Sequence, residues 1–125
     1  MPIVLPGMAP EAKWTLVCLC AEWCDTCRDY QRAFEQHAQL RSDAIHVWLD
    51  IEDDSDWLGD IDLETLPTLL VLHGDRPMFF GPVLPHLDVV DRTLRALQVN
   101  GPTGDPVPDE FKDAVDRVIR ELAVV

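Results

Sequence analysis

The sequence predicts an α/β sandwich in which helices cover both faces of a small mixed β-sheet. Residues 14–20 form a nearly unbroken apolar segment of strand-forming residues, as in a buried central strand. Apolar residues then recur at helical spacing, and two further strand-like segments follow at 45–51 and 68–72. A strand–helix–strand order implies parallel neighbours joined by a right-handed crossover, and a hairpin after the third strand adds an antiparallel edge.

The first half of the chain supplies a short lead, the central strand and the helix that follows it. Within residues 1–13 we expect at most a brief strand near Ile3–Leu5. The next helix ends near Leu40, and a short helix is expected at 55–59 after the second strand. The apolar face of the longer helix consists of Cys27, Tyr30, Phe34 and Ala38.

The second half of the chain predicts a hairpin and two helices. Residues 74–77 form a turn between the third strand and a short returning strand at 78–80. Apolar residues at helical spacing then mark a three-turn helix at 87–97. Three prolines make residues 99–108 a loop, and an added helix is expected at 109–123, with acidic residues at its N-terminal end as the helix dipole favours.

The composition is that of a soluble globular protein with one domain spanning residues 1–125. Hydrophobic residues make up 47% and charged residues 26%, and no apolar run is long enough to cross a bilayer, so we expect no membrane association. The formal charge of −13 would repel phosphate backbones, so we expect no nucleic-acid partner. The first residues lack the features of a secretory signal, and we therefore expect a cytoplasmic protein.

Four cysteines, Cys18, Cys20, Cys24 and Cys27, lie within a ten-residue stretch. Such clustering indicates redox chemistry or a metal site, since a secreted disulfide framework would spread its cysteines along the chain. Cys24 and Cys27 form a CxxC motif at the start of the predicted helix, where free backbone N–H groups and the helix dipole stabilise a thiolate. We predict reversible disulfide exchange with Cys24 as the nucleophile and Cys27 as the resolving thiol.

Four features of the sequence together carry a family resemblance. They are AEWCDTC at 21–27, LDIE at 49–52, LPTLL at 66–70, and Gly81 ahead of the last helix of the core. On these features, residues 14–98 resemble the thioredoxin family. The resemblance implies a thioredoxin-like three-layer α/β/α sandwich with a small mixed sheet, a shortened N-terminus and an extra C-terminal helix. It also implies a thiol–disulfide oxidoreductase, and within that class a disulfide reductase, which acts on protein substrates without a cofactor or a metal.

The resemblance further implies which residues meet the substrate. In the family a cis proline faces the CxxC motif and the backbone beside it pairs with the substrate chain, which assigns this role to Leu66 and Pro67. Trp23, together with Asp25 and Thr26 in place of the family's Gly-Pro, is expected at the same surface. The implied partners are disulfide-bearing proteins and an electron donor of the thioredoxin-reductase type. A dedicated partner recognised through the C-terminal helix would fit as well.

Several positions depart from the family pattern. The buried acid six residues before the first cysteine is Cys18 here, and the lysine that accompanies it aligns with Trp48, so we expect the family's proton relay to be absent. The proline that kinks the CxxC helix is replaced by Arg32. Residues 1–13 are too few for the family's first strand and helix. The added C-terminal helix is therefore expected either to cover the surface left bare or to form a partner or dimer surface.

Acidic residues surround the motif and continue downstream. Glu22, Asp25 and Asp29 place negative charge near Cys24, which disfavours its thiolate. We therefore expect a more reducing pair than in strongly oxidising relatives. The acidic stretch 52–62 is expected to be a solvated face.

Two alternatives remain open. The four cysteines, with His37 nearby, could ligate zinc or an iron–sulfur cluster, although a buried strand is a poor source of two ligands. Otherwise Cys18 and Cys20 are interpreted as small buried apolar residues, with a secondary disulfide or a regulatory thiol as the alternative. The fold could also serve as a binding scaffold or chaperone-like module with little turnover. For all four histidines we expect surface or satisfied core roles.

Overall fold

The computed structural model describes most of the chain. The described residues are 3–5, 14–41, 43–59, 61, 63, 65–84, 86–102 and 106–124. The strands are β1 (Ile3–Leu5), β2 (Trp14–Cys20), β3 (Ala44–Asp50), β4 (Thr68–His73) and β5 (Arg76–Pro82). The helices are α1 (Asp25–Leu40), α2 (Ser55–Leu58), α3 (Leu87–Asn100) and α4 (Lys112–Val124), the last preceded by a 3₁₀ turn at Asp109–Phe111. These elements confirm the predicted α/β sandwich.

The five strands form one mixed sheet in the order β1-β3-β2-β4-β5. The central strand β2 is parallel to β3, with Cys20 beside Asp50, and antiparallel to β4, with Leu19 beside Thr68. The C-terminal ends of β2 and β3 and the start of β4 therefore lie at the same edge of the sheet. This edge carries the loop that leads into α1.

One face of the sheet is covered by α1 and α3, and we call it the thiol face. Side chains of β2 alternate between the two faces, so Leu16, Cys18 and Cys20 all point to this one. The buried cluster of the thiol face consists of Leu16, Cys18, Cys20, Cys27, Tyr30, Phe34, Ala44, Leu69, Val71, Met78, Val90 and Leu94.

The opposite face is covered by α2 and α4, and we call it the aliphatic face. Its buried cluster consists of Val17, Leu19, Val47, Leu49, Leu58, Leu70, Leu72, Val107, Val115 and Val118. Val115 and Val118 belong to α4, and Phe111 just before α4 packs against Phe80 with ring centroids 5.0 Å apart. The added C-terminal helix thus covers sheet surface, which was the first of its two expected roles.

The start of β5 and the end of α3 differ from the predicted boundaries. Strand β5 begins at Arg76 and not at residue 78, with Pro77 paired to Leu72 beside a bulge. Since β5 is an edge strand, the missing N–H of Pro77 costs no ladder hydrogen bond. Helix α3 continues to Asn100 and ends at Gly101, whose φ of 72° suits glycine, so the loop is shorter than 99–108.

Parts of two predicted segments lie outside the described residues. They are residues 1, 2 and 6–13 of the lead and residues 103–105 of the loop. None of the helices in the described part of the chain is long and apolar enough to cross a membrane.

Candidate active site

The CxxC motif lies where the central strand gives way to the first long helix. Cys24 is the N-cap of α1, with extended backbone angles of φ −91° and ψ 112°. Its N–H donates to the carbonyl of Ala21 at 3.0 Å, and its own carbonyl accepts from the N–H of Arg28 at 3.2 Å. Cys24 is half-buried, whereas Cys27, one turn later, is only 1% exposed. The two thiols therefore differ in their access to solvent.

Trp23 directly precedes Cys24, and its indole is hydrogen-bonded to an acidic residue. Its side chain is 64% exposed, and the indole Nε1–H donates to Oε1 of Glu52 at 2.8 Å. An exposed indole with a fixed orientation offers a flat apolar contact surface beside the motif.

The last residue of β3 organises the backbone around the motif. Oδ2 of Asp50 accepts from the N–H of Glu22 at 2.8 Å, while its Oδ1 accepts from the N–H groups of Glu52 and Asp53 at 2.8 and 3.0 Å. The N–H of Asp50 in turn donates to Oδ2 of Asp54 at 2.7 Å. One carboxylate thus ties the CxxC loop to the acidic turn after β3.

The expectation that the acidic stretch 52–62 is a solvated face is wrong at one residue. Asp54 is only 3% exposed, so the stretch 52–62 is not a solvated face throughout. The sequence signal for Asp50 and Asp54 was their place at and just beyond the end of a buried strand, where the CxxC loop also begins.

The segment before β4 lies at the same edge. The peptide bond between Leu66 and Pro67 is cis. Pro67 is buried and its carbonyl accepts from the N–H of Val83 at 3.2 Å, while the hydroxyl of Thr68 donates to the carbonyl of Thr65 at 2.7 Å. Leu66, like Cys24, packs against the buried cluster of the thiol face. The fold therefore brings this segment to the sheet edge that carries the motif.

The two residues between the cysteines are exposed. Asp25 and Thr26 lie on the first turn of α1, and Asp25 forms an ion pair with Arg28. Because Arg28 compensates part of the charge of Asp25, the expected excess of negative charge near the motif depends more on Glu22 and Asp29, which are both exposed.

The four thiols form a continuous group on the thiol face. Sγ of Cys18 lies 3.6 Å from Sγ of Cys20, and both residues are buried. Cys27 is in side-chain contact with Cys20 on one side and with Cys24 on the other. The hydrogen bond with Cys18, followed by burial, raises the pKa of the Cys20 thiol, and contact with Cys20 together with burial raises the pKa of the Cys27 thiol. All four cysteines are free.

The positions of the family's proton relay hold different groups. Cys18 lies beside Trp48 in the parallel register of β2 and β3. The indole of Trp48 packs among aromatic rings, 6.3 Å from Tyr30 and 5.8 Å from Phe34 between centroids. The Tyr30 hydroxyl is buried without a hydrogen-bond partner among the described residues, and burial raises its pKa. A thiol and an indole thus lie at the two positions where the resemblance would place an acid and a lysine.

A cleft of about 400 Å³ opens beside the resolving cysteine. Cys27 lines it together with four acidic residues, Glu22, Asp50, Asp53 and Asp54. The cleft gives the otherwise buried thiol a polar neighbourhood on one side.

The metal-site alternative receives no support from this geometry. Within the part of the chain that the structure describes, no group of three or more cysteine, histidine or acidic residues is arranged to hold a metal ion.

A buried histidine pair lies deeper on the thiol face and was not predicted. Nδ1 of His37 and Nε2 of His46 are 2.7 Å apart, Nε2 of His37 is 3.0 Å from Oδ1 of Asp91, and Nη1 of Arg41 donates to the same oxygen at 3.0 Å. Burial lowers the pKa of His46 to about 4 and also lowers that of His37, although Asp91 opposes the second shift. Both rings therefore have core roles, as expected for the histidines.

Comparison with known proteins places the chain in a family. The sequence profile described as Thioredoxin matches residues 8–80, more than half of the chain. The protein belongs to the thioredoxin family. No curated protein sequence matches it. Family membership and the four neighbouring cysteines together support a redox-type role.

Solved structures with similar folds include thioredoxins at low sequence identity. Oxidised mitochondrial thioredoxin 3 from Saccharomyces cerevisiae is 15% identical, with a TM-score of 0.59 over 70% of this chain and 81% of that one. Deadhead, a germline-specific thioredoxin from Drosophila melanogaster, is 16% identical, with a TM-score of 0.59 over 70% and 83%. Human ERp44 is 17% identical, with a TM-score of 0.58 over 70% of this chain and 28% of that one. At these identities the likeness shows the fold.

Proposed function

We propose that the protein is a thiol–disulfide oxidoreductase that reduces disulfides of protein substrates through reversible exchange at Cys24 and Cys27. The observation that carries the proposal is the unequal exposure of the two thiols at the start of α1. Cys24 is half-exposed at the N-terminus of α1, and Cys27 is shielded one turn later. An accessible thiol can attack a substrate disulfide. A shielded thiol cannot reach the substrate itself but can attack the mixed disulfide that forms.

The reaction takes place in two exchanges. The Cys24 thiolate attacks one sulfur of the substrate disulfide, so a mixed disulfide forms, the substrate S–S bond breaks, and the first substrate thiolate leaves and takes up a proton. Cys27 then loses its proton and attacks Sγ of Cys24, which forms the Cys24–Cys27 disulfide and releases the second substrate thiol. Two electrons pass from the dithiol to the substrate, and an external dithiol donor of the thioredoxin-reductase type returns them.

The surface around Cys24 supports binding of an extended substrate segment. Trp23 provides an exposed and oriented indole, Asp25 and Thr26 are exposed beside the nucleophile, and Leu66 and Pro67 lie at the same sheet edge. In this proposal the backbone beside Pro67 pairs with the substrate chain while Trp23 covers its apolar side chains.

Resolution is the step that the chain's own residues make difficult. Contact with Cys20 and burial raise the pKa of Cys27, so its deprotonation is unfavourable at neutral pH. With a thiol and an indole at the relay positions, we expect the proton of Cys27 to leave through the cleft that this residue lines with Glu22 and Asp50. The same observation favours the second candidate function, a thioredoxin-fold binding scaffold with little turnover.

Trapping with a purified disulfide-bonded protein, such as insulin, separates the two candidates. The Cys27→Ser variant is expected to accumulate a mixed disulfide with insulin, because the attack by Cys24 remains and its resolution is lost. The Cys24→Ser/Cys27→Ser variant serves as the matched control and should form none. Wild type should also reduce insulin repeatedly when dithiothreitol is supplied. Binding of insulin without a mixed disulfide in the Cys27→Ser variant would favour the scaffold.

A further inference from the structure

The thiol face holds two more thiols than disulfide exchange at the motif requires. Cys18 and Cys20 follow each other at alternate positions of β2, and their Sγ atoms are 3.6 Å apart. Both are buried in the same cluster as Cys27, with Cys24 packed against it. Nothing in the exchange between Cys24 and Cys27 uses either of them.

The order of contacts within the group decides which thiol can take part. Cys27 is in side-chain contact with both Cys20 and Cys24, while Cys20 and Cys24 interact only at longer range. Cys27 is therefore the thiol that Cys20 and Cys24 share as a neighbour. Thiol–disulfide exchange needs the attacking, central and leaving sulfurs in this order.

The geometry of a β-strand excludes a disulfide between Cys18 and Cys20. Alternate residues of a strand are about 6.6 Å apart at both Cα and Cβ, since each residue rises about 3.3 Å. A disulfide needs Cβ atoms only about 3.8 Å apart. Cys18 is paired to both β3 and β4, and Cys20 is paired to Asp50 of β3, so their Cβ atoms cannot come that close without a break in the sheet. Cys20 and Cys27, in contrast, belong to different elements, β2 and α1, and lie in the same buried cluster, so strand spacing does not hold them apart.

We propose that Cys20 is a third redox thiol of this site, which attacks Sγ of Cys27 in the Cys24–Cys27 disulfide and forms a Cys20–Cys27 disulfide. The inference rests on the proposed function, because it starts from that disulfide. One S–S bond breaks and one forms, Cys24 leaves as a thiolate, and the proton of Cys20 ends on Cys24 or in solvent. No electron enters or leaves the protein. The two disulfides are isomers of one oxidation state.

The isomer changes what the site can do. With Cys27 paired to Cys20, the oxidised protein presents a free Cys24 thiol at the surface. A mixed disulfide formed by that thiol has no resolving partner, so the substrate stays attached until an external dithiol donor reduces either the mixed disulfide or the Cys20–Cys27 disulfide. Because its pKa is raised, Cys20 attacks slowly at neutral pH, and the exchange becomes faster as the pH rises.

Irreversible alkylation can capture the isomer. The protein is oxidised with glutathione disulfide, freed of reagent and incubated with iodoacetamide, which traps any Cys24 thiol that the exchange releases. Acid-quenched samples are digested with Glu-C endoproteinase, which cuts after Glu22 and places the thiols in two peptides, 12–22 and 23–35. A Cys20–Cys27 disulfide links the two peptides, whereas a Cys24–Cys27 disulfide lies within the second.

Wild type should accumulate linked peptides that carry one alkyl group on Cys24. The Cys20→Ala variant should label at Cys24 at least about tenfold more slowly and give no linked peptides, because the attacking sulfur is gone. Cys18→Ala, which removes the neighbouring thiol on the same strand face, is the matched control and should keep the link.

Three results would overturn the inference. The first is an intact Cys24–Cys27 disulfide in wild type without labelling or linked peptides, which leaves the proposed function standing. The second is a link that survives Cys20→Ala and disappears in Cys18→Ala. The third is the absence of a Cys24–Cys27 disulfide in every variant, which would remove the proposed function as well.

Discussion

The two faces of the central sheet are packed by different chemistry. The buried cluster of the aliphatic face consists of valine and leucine alone. The thiol face buries three cysteines and a tyrosine within its cluster, and a histidine pair lies under α1. Both faces receive side chains from the same strand, β2, whose residues alternate between them.

This difference separates stability from reactivity within one small domain. The valines and leucines of the aliphatic face contain no group that titrates or forms disulfides, and their burial stabilises the sheet. The other face places groups that can lose protons or exchange bonds next to the helix that carries the motif. Changes on the thiol face should therefore alter chemistry and pH response, and changes on the aliphatic face should alter stability alone.

The largest expected effect is the loss of the nucleophile on the thiol face. Cys24→Ser should lower the rate of insulin reduction by more than about a hundredfold, because a hydroxyl cannot form the mixed disulfide. Thermal unfolding should be unchanged, since Cys24 is only half-buried. Cys18→Ala, a change on the same face outside the motif, should retain the rate within about threefold. Equal losses in both variants would show that Cys24 has no special role.

The second effect is a pH response that belongs to the thiol face. The pKa of His46 falls from its ordinary 6.5 to about 4 in the folded protein, so the unfolded chain binds more protons below pH 6.5. Folding stability is therefore fully present above that pH and should fall by roughly 3 kcal/mol as the pH approaches 4. Asp43, whose pKa is lowered to about 2 by Arg41, contributes only at more acidic pH.

Urea unfolding at several pH values measures this response. His46→Phe should flatten the dependence between pH 6.5 and 4, even if it lowers stability throughout. His86→Ala removes an exposed histidine and should leave the slope as in wild type. An unchanged slope in His46→Phe would assign the response to other groups.

The third effect tests the aliphatic face through the added helix. Val118 is fully buried on α4, so Val118→Ala should destabilise the protein by about 2 kcal/mol through lost burial and the cavity it leaves. Asp116→Ala, an exposed change on the same helix, should stay within about 0.5 kcal/mol of wild type. Insulin reduction should be unaffected in both. Denaturant titration measures the free energy of unfolding of each variant. A Val118→Ala variant as stable as wild type would mean that α4 is not part of the core.

The smallest expected effect concerns the orientation of the indole at the substrate surface. Glu52→Ala removes the hydrogen bond to Trp23 and should raise KM for a protein substrate by roughly fivefold, with kcat little changed. Asp56→Ala removes the same charge from the exposed side of α2 and controls for electrostatics. A matching rise of KM in Asp56→Ala would assign the effect to charge rather than to orientation.

The sequence predicted the elements better than the contacts between them. Residues of β2 and α1 follow simple periodicities, so the strand, the helix and the place of the CxxC motif could be predicted. The same periodicities put His46 on the strand face of Ala44 and Trp48, and His37 on the helix face of Tyr30 and Phe34. Each ring could thus have been predicted as buried.

The periodicity of a sequence does not predict which residue a buried side chain contacts. The contact between the two histidines, and their link to Asp91 more than fifty residues away, depends on how α1 and α3 lie on the sheet. The packing of α4 poses the same difficulty, because apolar spacing identifies the face of a helix and not the surface that it covers. The order of the four sulfurs is a property of the same kind.

The central claim is that Cys24 and Cys27 form a redox couple, and its most direct test isolates them. In the Cys18→Ala/Cys20→Ala variant the motif provides the only cysteines. Equilibration with defined redox buffers, followed by alkylation and intact mass, should show one reversible two-electron transition at or below roughly −250 mV, lost when Cys24→Ser is added. The absence of a transition in the folded double variant, or its persistence after Cys24→Ser, would contradict the account.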